Sequence, residues 1–322
     1  MIPSCWRLYL TTRCNSRCAY CYRGLGEGDA IGKQRFDLPV GQLLNWVDTL
    51  GPEASLFRLS GGEPSLHPEL PDLIQGLVER GKHIELYSNG SSASLASETL
   101  GAVNCHCLSL DSLDAATNDA LRGDRTATTK FHRAFRRLMD LGIQNVRVQI
   151  TLTERSLRTL GETLDYLIDE LKVPNVVVSS VISDNQDDAP LVDAQLSEAH
   201  GMIMRKRENH DNMLGLSTTF FPTAGYCAIH EDLRHLCSAF VNAEGDVHFF
   251  VGETSVFRAG NILLESPSIV RERAESMEPL LLDFLDFAFD HFRSSGRRFG
   301  CPSEYLYRNE VVQAFVRRLA KA

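Results

Sequence analysis

The chain has 322 residues, 43% of them hydrophobic and 23% charged, and carries a formal net charge of −9. Such a composition supports a sizeable core and excludes a disordered or low-complexity protein, and the acidic balance argues against a general phosphate-binding surface and so against a nucleic-acid partner. There is no run of eighteen apolar residues and no signal-peptide layout over Met1-Ile2-Pro3-Ser4-Cys5; a cytoplasmic chain without a membrane partner is expected, whose nine cysteines favour metal or redox chemistry over a disulfide framework.

Strand-like and helix-like segments alternate over the first two thirds of the chain. Trp6 to Leu10 reads as a strand and is followed by Cys14-Asn15-Ser16-Arg17-Cys18-Ala19-Tyr20-Cys21. A helix is expected over Pro39 to Leu50, then a strand over Ser55 to Leu59 that ends in Ser60-Gly61-Gly62-Glu63-Pro64. A helix over Pro68 to Arg80 leads to a strand over His83 to Tyr87, ending in Ser88-Asn89-Gly90. Strands at Cys107 to Leu110, Val146 to Leu152 and Val176 to Val181 alternate with helices at Lys130 to Leu141 and Thr159 to Leu171. The helices carry apolar residues at three and four spacing, and Gly51, Gly81 and Gly142 fit as helix stops. Within the third of these helices, Arg133, Arg136 and Arg137 read as a solvated face.

This alternation predicts an α/β fold with a parallel sheet and helices on its outside. In parallel barrels the active residues gather at the C-terminal ends of the strands. Cys14 to Cys21, Gly61 to Pro64, Ser88 to Gly90 and Asp111-Ser112 all fall there. Arg147 and Gln149 are same-face polar residues on the fifth strand, open to a cavity or to cross-strand packing. Beyond the polar run Ser183 to Pro190, which reads as an active-site loop or a domain connection, a helix is expected from about Leu196 to Arg207. Glu278 to Phe292 and Ser303 to Leu319 read as helices packed on the barrel.

The densest chemistry lies in Cys14, Cys18 and Cys21. Three thiolates are one short of the four of a closed cluster or a structural zinc site, so a cube held this way keeps one iron open to another ligand. A zinc knuckle and a redox pair are the competing readings of the cysteines. Gly61 and Gly62 admit close backbone approach to a ligand, and Glu63 offers an acceptor for an ammonium, although by itself it would read as a solvated loop carboxylate.

CxxxCxxC on the first loop and GGEP after the second strand, in that order, resemble the radical S-adenosylmethionine (radical SAM) superfamily, over roughly residues 1 to 185. The resemblance implies a partial (β/α)6 barrel over 1–215. It implies a 4Fe-4S cluster on Cys14, Cys18 and Cys21 whose fourth iron takes the SAM amine and carboxylate, and reductive cleavage of SAM to a 5'-deoxyadenosyl radical. By the same resemblance Tyr20 lies near adenine, Gly61, Gly62 and Glu63 meet the SAM amine, and Ser88, Asn89, Ser109 and Asp111 line its methionyl and ribose groups. Arg122 in Arg122-Gly123 binds the SAM carboxylate or caps a helix. An electron donor such as flavodoxin or ferredoxin is implied as a partner.

Cys237 to Phe250 resembles the β-hairpin that opens a SPASM or twitch domain, which makes 216–322 a small α+β extension. Phe250 stands where that pattern has its second cysteine, and the cysteine-rich tail of a full SPASM domain is missing. Three readings stay open for the cysteines of this region. Cys227, Cys237 and Cys301 hold an auxiliary iron-sulfur cluster completed by His248, Glu253 or an outside ligand; or they are buried thiols; or Cys227 donates hydrogen to a substrate radical. Cys5, Cys105 and Cys107 carry no recognisable spacing, and the last two read as core thiols on one strand face. The expected reaction is hydrogen abstraction from an unactivated carbon in the maturation of a ribosomally made peptide, by crosslinking or epimerisation, with a separate peptide-recognition protein as a candidate partner. The alternatives are a dehydrogenase or epimerase of a sugar or aminocyclitol and, outside enzymes, an iron-sulfur electron-transfer or assembly protein.

Overall fold

The computed structural model describes residues 2–21, 35–181, 191–210, 215–218, 220–222, 239–249, 257–296, 298–300 and 309–320. Its first strand, β1 (Cys5–Tyr9), is followed by α1 (Val40–Leu50), β2 (Leu56–Ser60), α2 (Leu70–Glu79), β3 (His83–Ser88), α3 (Ser97–Gly101) and β4 (Cys105–Ser109). Next come α4 (Ala115–Arg122), α5 (Ala127–Asp140), β5 (Val146–Leu152), α6 (Glu154–Leu157), α7 (Leu160–Asp165) and β6 (Asn175–Ser180). The remainder supplies α8 (Asp193–Asn209), β7 (Leu216–Thr218), β8 (Phe221–Pro222), β9 (Ala239–Val241), β10 (Asp246–Phe249), β11 (Arg258–Asn261), α9 (Pro267–Ser276), α10 (Glu278–Ser294), β12 (Phe299–Gly300) and α11 (Asn309–Leu319).

A mixed sheet of ten strands runs in the order β11-β10-β9-β1-β2-β3-β4-β5-β6-β7. All neighbouring pairs from β9 through β1 to β7 are parallel, and only the β9–β10–β11 meander is antiparallel. The expected six parallel strands are present, and β7 adds a seventh beyond β6. The expected hairpin after Cys237 is β9 and β10, and it joins the barrel sheet through β1.

Period-two alternation on the strands decides what each face does. Trp6, Leu8, Phe57, Leu59, Ile84 and Leu86 pack with Leu43, Trp46 and Leu50 of α1 and Leu73 and Leu77 of α2 in one apolar cluster, which Phe284 of α10 and Phe315 of α11 extend. Val146, Val148, Ile150, Val176 and Val178 form a second with Phe131 and Leu138 of α5, Leu164 of α7 and Ile203 of α8. The intervening strand residues therefore face away from the helices, into the concave side. Arg58, Glu85, Tyr87, Arg147 and Gln149 are among them, so this lumen is polar. Cys105 and Cys107 are buried thiols on one strand face, as expected. Their register opposite Glu85, Tyr87 and Arg147 puts them on the lumen side of the sheet, outside the two helix-packed apolar clusters.

Candidate active site

The segment after β1 runs to Cys21 and is held at several points. At its start, the Gly62 amide donates to Thr11 O at 2.8 Å and the Glu63 amide to Arg13 O at 2.7 Å. A β-carbon on Gly61 would meet Thr11 O at 2.8 Å, and one on Gly62 would meet Arg13 O at 2.1 Å. Gly61 also has φ +142°, a conformation that L side chains rarely adopt. The backbone whose approach these glycines allow is thus the chain's own, the strand exit that launches the cysteine loop.

The far side of the loop rests on α4 and the turn after it. Arg17 N donates to Arg122 O at 3.1 Å and Ala19 N to Leu121 O at 2.9 Å. A β-carbon on Gly123 would come 2.0 Å from Arg17 O, which is the steric reason for glycine after Arg122. Tyr20, Asp111 and Arg122 meet beneath the loop, all buried. The Tyr20 hydroxyl donates to Asp111 Oδ2; Arg122 Nη1 donates to Tyr20 Oη at 2.6 Å and reaches Asp111 Oδ2 at 3.3 Å. Asp111 Oδ1 accepts the Thr151 amide at 2.8 Å, which joins the ends of β4 and β5. Burial holds the Tyr20 phenol well above its ordinary range, so it stays a neutral donor.

Glu63 is almost completely buried. Its Oε1 accepts Ser65 Oγ at 2.6 Å, Ser88 Oγ at 2.9 Å and Ser65 N at 3.2 Å, while Oε2 accepts the Asn89 amide at 2.8 Å. Burial pushes the carboxyl above its usual range; the donors from Ser65, Asn89 and Ser88 pull the other way without cancelling it. Asn89 in turn donates through Nδ2 to Asn15 Oδ1 at 2.8 Å and Ser16 Oγ at 2.9 Å, and Asn15 Nδ2 reaches Ser91 Oγ at 2.9 Å. Ser109 ends β4 opposite Gln149, whose Nε2 donates to Ser179 Oγ at 2.6 Å.

Three contributors, Asp124, Asn15 and Ser16, escape sequence reading. Asp124 Oδ2 takes Lys130 Nζ at 2.5 Å and Ser16 Oγ at 3.4 Å, tying the loop to α5. Asn15 and Ser16, inside the cysteine motif, carry the bonds to the third strand; their place between Cys14 and Cys18 is the one signal that marked them. Arg133 and Arg136 are exposed, as the expected solvated face requires, whereas Arg137 is half-buried and donates to Ser97 Oγ at 3.0 Å. His248 is buried and stacks on Phe240 at 5.2 Å. Cys227, Cys237, Glu253 and Cys301 lie outside the described residues.

Cys14, Cys18 and Cys21 lie within one another's electrostatic reach, and burial pushes Cys14 up and Cys18 to about 11. The Ser16 amide donates to Cys14 Sγ at 3.4 Å, and a cavity of about 250 Å³ lined by Arg13, Cys14, Arg35 and Leu66 opens beside it. Among the described residues no three His, Cys, Asp or Glu side chains already converge to metal-binding geometry. Three sulfurs on one loop anchored at both ends, with a backbone N–H aimed at one of them, form a donor set that fits an iron-sulfur cluster.

Comparison with known proteins agrees. The radical SAM superfamily profile matches residues 8–167. A probable GTP 3',8-cyclase of Methanococcus vannielii is 28% identical over 164 residues, covering 50% of this chain and 54% of that protein, so the chain spans about half the length of this relative. Streptococcus suis SuiB bound to S-adenosylmethionine superposes with a TM-score of 0.69 at 16% identity over 88% of this chain and 68% of SuiB. Its complex with the precursor peptide SuiA gives 0.61 at 17% over 76% and 59%. Native anSMEcpe with bound AdoMet gives 0.66 at 13% identity over 99% of both chains. The ordered motifs, the parallel sheet that presents them and the match over 8–167 agree: this chain belongs to the radical SAM superfamily, whose cofactors are a 4Fe-4S cluster and S-adenosylmethionine.

Proposed function

We propose that this radical SAM enzyme abstracts hydrogen from an unactivated carbon of a peptide during its maturation, leading to a crosslink or an epimerised residue. The observation that carries the reading is the binding of one cysteine loop to the ends of three successive strands, through Gly62 and Glu63 after β2, Asn89 after β3 and Asp111 after β4. When bound, the cluster and SAM supply a 5'-deoxyadenosyl radical at that junction.

The chain's own residues divide the remaining work. Cys14, Cys18 and Cys21 hold the cluster. Glu63 Oε2 carries a single donor among the described residues and so retains acceptor capacity for the SAM ammonium. Ser88 and Asn89 fix that carboxylate, Ser109 faces the SAM ribose from the end of β4, and Tyr20, Asp111 and Arg122 are positioning residues that set the height of the loop. Cys227, Cys237 and Cys301 keep their proposed roles as auxiliary ligands or, for Cys227, as a hydrogen donor. We keep 1–215 as the barrel and 216–322 as its extension.

The likeness to SuiB, solved with a precursor peptide, supports the peptide class. The polar lumen also suits a small hydroxylated molecule, which favours a sugar or aminocyclitol dehydrogenase or epimerase as the second reading. Among the described residues no helix is long and apolar enough to cross a membrane. Anaerobic reconstitution with iron, sulfide, SAM and dithionite tests the radical step: 5'-deoxyadenosine should form, and a fully loaded protein that makes none overturns the proposal. A short precursor-like reading frame beside the gene favours the peptide; sugar-processing genes favour the second reading.

A further inference from the structure

Below the cofactor junction, the lumen contains charges that the radical chemistry does not use. Arg58 Nε donates to Glu85 Oε2 at 2.9 Å, and Arg147 Nη1 donates to the same oxygen at 3.1 Å. Tyr87 Oη gives that oxygen a third donor at 3.1 Å. Among the described residues Glu85 is the carboxylate of both guanidinium groups, so two cations share one anion. Each arginine reaches it through a single nitrogen, which leaves the bidentate fork of each unmatched by that carboxylate. Arg147 Nε is buried with no hydrogen-bond partner among the described residues.

Of the two nearby thiols, Cys107 supplies no second anion, whereas the hydrogen bond with Cys107 and the charge of Arg147 lower Cys105 against its burial. Cys105 and Cys107 stand with sulfurs 4.0 Å apart beside Arg147; the hydrogen bond with Cys105 and then burial push the Cys107 thiol far up. A half-buried cation in excess of its counter-charges is costly unless an anion completes it. We infer that Arg58 and Arg147 form a subsite for an oxyanion of the substrate, a carboxylate or a phosphate, with Glu85 bridging the two guanidinium groups until it arrives.

The strand register places this subsite relative to the cofactor. Arg58 of β2 precedes Gly61, the residue after that strand, by three residues, and Glu85 precedes Ser88 by three on β3. At about 3.3 Å per residue the pair lies roughly 10 Å deeper in the lumen than Gly61 and Ser88, the latter bonded to the Glu63 carboxylate proposed to meet the SAM ammonium. The acidic group therefore anchors the end of the substrate remote from the carbon that loses hydrogen, and guanidinium forks suit the planar or tetrahedral oxygens of either anion. The assignment rests on the reading that the lumen holds the substrate of a radical SAM enzyme.

The test is calorimetric titration of the cluster-loaded, SAM-bound full chain with sodium phosphate and, separately, with sodium succinate, at constant ionic strength set by chloride. Wild-type protein should bind at least one of them saturably, and the preferred anion tells phosphate from carboxylate. R147Q and R58Q should bind about tenfold or more weakly, the loss of one charge-assisted pair. E85Q should bind more tightly, because the internal competitor for both arginines loses its charge. R80Q, whose arginine pairs with Asp48 on the outer surface, should bind as the wild type does. Wild-type protein that binds neither anion, R147Q that binds as tightly as wild type, or a folded E85Q with no gain overturns the subsite. Scoring 5'-deoxyadenosine in the same wild-type samples separates the two ideas: anion binding without it rejects the radical reading alone, and its formation without anion binding rejects the subsite alone.

Discussion

Gly62 lies so close to Arg13 that a β-carbon on it would stand 2.1 Å from the Arg13 carbonyl oxygen and 3.0 Å from Cys14 Cβ. Backbone cannot give way cheaply at such a distance, so Gly62→Ala should push the cysteine loop off the end of β2. The expected cost is about 1–3 kcal/mol of stability, with a matching loss of bound iron after reconstitution. Gly41→Ala is the control, since nothing lies within 4 Å of a β-carbon there. Equal iron content and equal urea midpoints for wild type and Gly62→Ala would refute the steric account.

Glu63 is surrounded by donors, and that makes its charge state matter. In Glu63→Gln the amide must turn its NH2 either toward the Asn89 amide or toward the Ser65 amide, and one backbone donor then faces another. We expect a loss of about 1–3 kcal/mol, the cost of a buried group left unsatisfied, and SAM binding weakened about tenfold. Equilibrium dialysis of SAM against the cluster-loaded variant measures the second effect.

Arg122 is the cation of a buried trio, and its loss leaves Asp111 without a compensating charge. Arg122→Ala should destabilise by about 3–5 kcal/mol, whereas Tyr20→Phe, which removes only a neutral hydroxyl, should cost about 1–2 kcal/mol. Urea unfolding of the two apo variants side by side gives the ratio. A smaller loss for Arg122→Ala than for Tyr20→Phe would show that Asp111 does not depend on the guanidinium.

Asp124 gives the loop an acid-sensitive tether. Burial pushes its carboxyl up, but hydrogen bonds from Lys130 and Thr126 more than offset this and hold it at about 2. An aspartate in the unfolded chain titrates near about 3.9. The folded value lies below the unfolded one, so the stabilisation is complete above roughly pH 4 and is lost as pH falls toward 2. Asp124→Asn should flatten the stability profile between these limits and leave its slope above pH 5 unchanged. Denaturant midpoints at half-unit intervals check it.

Local pattern carried most of the barrel. Val146 to Leu152 was legible to the residue because its apolar side chains alternate without interruption, and β1, β2, β3 and β6 fall within a residue of their expected limits. β4 begins two residues earlier than expected, because Cys105 and His106 lack the usual strand character. Helix α4 left no apolar period, as Leu121 is its one large apolar residue, although Asp114 capping Thr117 N and Gly123 at the far end bracket it. In the site, the motif residues could be picked out by type, but not the direction of their bonds. Glycines chosen for a ligand turned out to admit residues 11–14, and the charges of Arg58, Glu85 and Arg147, far apart along the chain, become one group only through strand register.

The pairing of β9 with β1 has a consequence for synthesis on the ribosome. β9 begins about 230 residues after β1 ends. At roughly 5–20 residues per second, the far side of β1 waits some 12 to 46 seconds for its partner to be translated. Throughout that interval a row of bare N–H and C=O groups lies open to the wrong strand, from the same chain or from a neighbouring one. Nascent chains stalled before residue 239 should therefore be the aggregation-prone species of this protein.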